Sequence, residues 1–80
     1  MTAKYAVGDI VVTREKVACK AFGSGGSDGW CDPGWLWRVV GVEIRDRTLR
    51  YAVVAHKASW MYRQSLKENQ VAKKVGVHAP

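Results

Sequence analysis

Cysteine, proline and phenylalanine are scarce in this chain of 80 residues, at two, two and one respectively. Two cysteines, Cys19 and Cys31, are too few for the disulfide framework of a small secreted domain. Reduced thiols are therefore expected, with pairing across the intervening Gly-rich stretch as the alternative. No apolar run approaches the roughly 18 residues needed to span a bilayer. The opening Met1-Thr2-Ala3-Lys4-Tyr5 carries no apolar stretch of signal-peptide type. A cytoplasmic protein without a membrane partner is the expectation. Motifs for chemistry are missing as well. There is no C-x-x-C, and His56 and His78 stand apart in the sequence, so neither metal nor cofactor is expected. Gly23-Ser24-Gly25-Gly26-Ser27 lacks the Lys-Ser/Thr and the strand-to-helix setting of a phosphate loop. The carboxylates Asp28, Asp32, Glu43, Asp46 and Glu68 are scattered, and no base sits beside Cys31 to activate its thiol. No catalytic residue is assigned, and a non-enzymatic protein is expected.

Acidic residues are also few. Thirteen Lys+Arg stand against seven Asp+Glu, a net charge of +6. In so short a chain this favours an anionic partner, although charge alone also serves solubility. An apolar fraction of 48% is that of a folded domain. Eighty residues make one domain, near the lower size limit for a core without staples.

What the chain does contain is a series of short alternating segments. Gly8-Asp9 reads as a turn into a first strand, Ile10 to Thr13, with Asp9 accepting backbone N–H bonds rather than acting in catalysis. Residues 14–35 are the least regular. Part of Glu15 to Ala21 can extend the first strand, and four glycines between Gly23 and Gly29 predict a mobile loop over about 20–35. Leu36 to Ile44 and Leu49 to Ala55 predict a hairpin over Arg45-Asp46-Arg47-Thr48, with a bend or bulge at Gly41. Trp60 to Arg63 predicts a short strand, with Met61 inward and Trp60 and Tyr62 outward. Ser65 caps a single helical turn in which Leu66 plugs the core. Val71 to Val75 closes the fold, and residues 76–80 form a loose tail.

The pattern Gly8-Asp9-x-Val11, Val39-x-x-Val42, Tyr51-x-Val53 and Met61-x-x-x-x-Leu66 resembles the SH3-like small β-barrel superfamily, which includes KOW-type, Tudor-type and bacterial SH3-like modules. The resemblance covers about residues 7–75. It implies an all-β domain, a five-stranded antiparallel SH3-like barrel with one short helical turn before the last strand. It also implies a recognition function directed at nucleic acid, peptides or methylated side chains. The small trimethoprim-resistant dihydrofolate reductases are similar single barrels that build a pore from a Gln-Ile-Tyr segment. Here Trp60-Met61-Tyr62 occupies that place, only Tyr62 matches, and the folate reaction is not expected.

Four tryptophans are many for this length. Their rings are too large for a small core to bury all of them, and each indole N–H needs a partner. Trp35, Trp37, Trp60 and Tyr62, with Trp30 beside them, are candidates for a shared aromatic patch. Arg38, Arg63, Lys57, Lys73 and Lys74 supply the cations of the predicted binding surface, and Arg50 and Lys67 also flank it. Two functions fit. In one, the domain binds RNA or single-stranded DNA, with cations on phosphates and rings on unpaired bases. In the other, the same patch meets an acidic protein surface, as an adaptor or inhibitor, or a second copy of the chain.

Overall fold

A computed structural model of the chain describes residues 2–21, 29–57 and 62–78. Its elements are β1 (Asp9–Thr13), β2 (Val17–Ala21), β3 (Gly29–Cys31), β4 (Trp37–Arg45), β5 (Thr48–Ala55), β6 (Tyr62–Lys67), a 3₁₀ turn (Glu68–Gln70) and β7 (Val71–Val77). The fold is all-β and every pairing is antiparallel. A five-stranded sheet runs β6-β5-β4-β1-β7, and the β2–β3 hairpin joins its β6 edge. Among the described residues, Lys20↔Arg63 and Ala21↔Tyr62 make that junction.

Several expectations change. The described residues hold seven strands rather than five, because the irregular region contains the β2–β3 hairpin. The sheet does not close into a barrel among the described residues, and β3 and β7 are its ends. Ser65 and Leu66 belong to β6 instead of a helical turn, which is shifted to Glu68–Gln70. Gly76 and Val77 extend β7, so the tail begins later than residue 76. Cys19 and Cys31, expected reduced, form a disulfide with Cα atoms 6.1 Å apart. Of the loop predicted over about 20–35, residues 22–28 lie outside the described residues, while Lys20 and Ala21 belong to β2 and Gly29–Cys31 form β3. Among the described residues no helix is long and apolar enough to cross a membrane.

Alternation along β5 explains the core. Tyr51, Val53 and Ala55 are buried, while their neighbours Arg50, Ala52 and Val54 are half-buried on the other face. Across the ladders, Tyr51 lies opposite Val42 and Leu66, Val53 opposite Val39 and Gln64, and Ala55 opposite Trp37. Residues directly opposite in an antiparallel pair share a face. The inner face therefore gathers Trp37, Val39, Tyr51, Val53 and Leu66, closed by Val11, Val17 and Val71. The register shift between Val39 and Gly41 is the predicted bulge, and beyond it Val42 pairs with Tyr51 while remaining exposed. Asp46 and Arg47 both have positive φ, 51° and 64°, which gives the hairpin a two-residue turn matched to the strand twist.

Polar anchors tie the ends of the sheet to this core. Gly8 (φ 100°) donates its N–H to the Val39 carbonyl at 2.8 Å and accepts from His78 N–H at 2.7 Å. Asp9 accepts from Ala6 N–H at 3.0 Å, the structural role expected of it, and pairs with Lys74 Nζ at 3.3 Å. The Tyr51 hydroxyl accepts from the N–H groups of Lys4 (2.9 Å) and Tyr5 (3.2 Å) and donates to Glu68 Oε1 (2.8 Å). One phenol thus holds the lead-in chain and the 3₁₀ turn together.

Burial, followed by the bond to Glu68, raises the Tyr51 hydroxyl above the ordinary tyrosine value of 10.0. The folded state favours the protonated phenol. Its stabilising contribution is complete below about pH 10 and disappears as pH rises through the higher folded value. Tyr51→Phe is expected to cost about 1 kcal/mol at neutral pH, since partly buried hydrogen bonds are lost. It should also flatten the fall of melting temperature above about pH 10. An unchanged alkaline slope in the variant would remove Tyr51 from this role.

Candidate functional site

The predicted site residues separate onto three parts of the molecule. Trp37 is fully buried and has no surface for a ligand. Trp35, at 36% exposure, lies against Trp37 with ring centroids 6.4 Å apart and edge-on to Tyr62 at 5.6 Å. Tyr62 packs against the core rather than facing outward. The reason is the unbroken course of β6. With Ser65 and Leu66 in the strand, Tyr62 has the same parity as Gln64 and Leu66, which face Val53 and Tyr51. Trp60 lies outside the described residues. Lys57 is exposed beyond β5 and lines a cavity of about 280 Å³ with Trp35, Leu36 and His56. Lys73 and Lys74 sit on β7 at the far edge, and Lys74 is engaged by Asp9.

The outer face of the sheet brings the other cations together. Arg38 and Arg63 lie opposite Val54 from its two sides, Ser65 and Gly41 flank Ala52, and Lys67 and Glu43 flank Arg50. Arg45 follows two residues after Glu43 and bonds its carboxylate at 3.1 Å. Arg38, Arg45, Arg50, Arg63 and Lys67 therefore share one face, and among the described strands Glu43 is the single carboxylate beside them. Beneath them the floor is small: Ala52, Ser65 and Val54. A shallow groove of about 490 Å³ runs between Val40, Glu43 and Arg45 on one wall and Arg63 and Ser65 on the other. A second, of about 400 Å³, shares Gln64 and Ser65 with it and continues past Arg50 and Lys67 to Ala18.

Trp30 completes this face. It pairs with Ala18, while Val17↔Cys31 and Cys19 lie on the buried side of the same hairpin. Alternation turns Trp30 to the Ala18 side, where it is 73% exposed. An indole this exposed is an unusual use of a large apolar ring. The face thus joins an exposed aromatic plane to a basic, small-floored groove. Sequence reasoning placed Trp30 in a patch with Trp35 and Trp60. The signal that would have moved it was the Cys31 next to it, since a buried cystine fixes the opposite parity for its neighbour. Among the described residues, His, Cys, Asp and Glu form no group of three able to hold a metal ion.

No protein-family model, curated protein or solved structure matches this chain.

The two tryptophans should separate cleanly by mutation. Trp37→Ala is expected to destabilise the fold by about 3–5 kcal/mol, the usual cost of truncating a buried aromatic. Trp30→Ala should change stability by no more than about 0.5 kcal/mol, as for other exposed sites. Chemical denaturation of both variants checks this, and a large loss in Trp30→Ala would put that ring in the core.

Proposed function

We propose that this chain is a non-enzymatic binding module of SH3-like type that takes single-stranded nucleic acid on its outer sheet face. The fold reading is supported by the order of elements: a first strand, a long excursion, the β4-β5-β6 meander, a 3₁₀ turn and a last strand returning to β1. One observation carries the ligand. Trp30 and the cations Arg38, Arg45, Arg50, Arg63 and Lys67 share a face whose floor is small and shallow. Single-strand binders combine a basic groove along the backbone with aromatic planes on which bases stack. The groove lacks the enclosure that a small-molecule pocket needs to bury most of its ligand. It suits an extended chain.

An acidic protein surface would use the same cations, but an isolated exposed Trp beside an open basic groove favours a stacked base. The Cys19–Cys31 bridge weighs toward an oxidising compartment and against the cytoplasmic expectation, since cytosolic thiols are kept reduced.

Binding of oligo(dT) measured across a salt series tests this reading. The log of affinity should fall linearly with log salt, with a slope near −0.7 for each phosphate contacted. Arg50→Gln combined with Lys67→Gln should reduce the slope by about 1.4, two contacts' worth. Lys73→Gln, on the far edge, should leave it unchanged. Trp30→Ala should weaken binding by about 1–3 kcal/mol with little effect on the slope. Absence of oligo(dT) binding at about 50 mM salt, where phosphate contacts are strong, would overturn the nucleic-acid reading and leave the acidic protein partner.

A further inference from the structure

His56 and His78, far apart in the sequence, are brought together. His56 follows β5, and its amide donates to the Leu36 carbonyl at 2.8 Å. His78 follows β7 and is held by its amide on Gly8 at 2.7 Å. The two imidazoles meet edge to face, with centroids 5.7 Å apart. Arg38 reaches His78, with Nη1 3.1 Å from Nε2. A guanidinium only donates, so His78 Nε2 accepts, its ring proton lies on Nδ1, and the ring is neutral. His56 Nδ1 is buried with no hydrogen-bond partner. Lys57 follows directly and is exposed. Among the described residues no carboxylate bonds any of these groups. Asp9, on the adjacent β1, is turned inward and paired with Lys74.

We propose that Arg38, His56 and His78 form a site for a phosphate-type tetrahedral oxyanion, and that binding there takes up a proton. The chemistry follows from the Arg38–His78 bond. A proton placed on His78 Nε2 removes its lone pair, breaks that bond and sets two cations side by side. An oxyanion between them restores what is lost, because it accepts from both the guanidinium and the new Nε2–H. Charge-assisted bonds of this kind are roughly twice as strong as neutral ones. His56 backs the site, with its ring edge-on against His78 and its Nδ1 enclosed in the protein. Proton and anion therefore favour each other, and affinity rises as pH falls through the range in which histidine side chains gain charge. The oxyanion has two sources. It is either a phosphodiester of the strand proposed above, in which case the inference rests on that reading, or a free dianion.

Binding of sulfate, a tetrahedral dianion that does not titrate here, and of oligo(dT) should be measured at about pH 5.5 and about pH 7.5, on either side of that range. Proton-linked binding tightens by up to about tenfold per pH unit for each proton taken up. In His78→Gln, whose amide oxygen can still accept from Arg38, the pH dependence should vanish. NMR titration of the imidazole C–H signals in the unmodified protein gives a second readout: sulfate should shift the His78 midpoint to higher pH. Linkage with oligo(dT) identifies the strand as the source, and linkage with sulfate alone identifies a free oxyanion. A His78 midpoint unmoved by sulfate and by oligo(dT), or a pH dependence that survives His78→Gln, would overturn the site. Oligo(dT) binding with no pH linkage for either ligand would refute this inference and keep the strand reading. Sulfate linkage without any oligo(dT) binding would do the reverse.

Discussion

Strict alternation along β5 is the constraint on which the other features rest. Tyr51, Val53 and Ala55 point to one side, and Arg50, Ala52 and Val54 to the other. In an antiparallel sheet with one dry face, a slip of one residue would exchange the two sets entirely. Burying Tyr51 and Val53 therefore fixes Arg50 and Ala52 outward, and the ladders carry that choice to β4 and β6. The aromatic rings Trp37 and Tyr62 are drawn inward by the same parity. The core uses the rings that looked available for binding, and the surface retains Trp30 and the arginines.

Two long-range links hold the edges of this arrangement. The Tyr51 phenol joins the lead-in segment at Lys4 and Tyr5 to the 3₁₀ turn through Glu68. At the other end, the Cys19–Cys31 bond ties β2 to β3, which among the described residues joins the main sheet through β2. Closing a loop of this length typically contributes about 3 kcal/mol. Its structural consequence is specific: with Cys31 held inward, Trp30 must point out. The staple and the exposed ring are thus two outcomes of one local geometry.

Much of the fold was legible where the signal was local. The hairpin over Arg45 to Thr48, the bulge near Gly41, the structural role of Asp9 and the last strand from Val71 all follow from nearby residues. The failures share a cause. Val17 to Ala21 is a strand because Gly29 to Cys31 lies beside it, and no periodicity within five residues reveals a partner across a Gly-rich stretch. Tyr62 was assigned outward because Met61 was placed inward, whereas a β6 that continues through Leu66 gives Tyr62 the parity of the core residue Leu66. Lys74 with Asp9, and His78 with Arg38 and His56, are tertiary meetings with no sequence spacing to announce them. Of the predicted site, Arg38 and Arg63 do share a face, whereas Trp35, Trp37 and Tyr62 form the end of the core.

The central claim is that ligand is met by the outer face and not by the Trp35–Tyr62 end of the core. Amide and indole NMR shifts recorded during titration with oligo(dT) test it most directly. The account predicts that the largest changes fall on the Trp30 indole and on the amides of Ala18, Arg50, Ala52, Ser65 and Lys67, with the Trp37 indole unmoved. Changes concentrated on Trp35, Tyr62 and Lys57, with Trp30 silent, would contradict it.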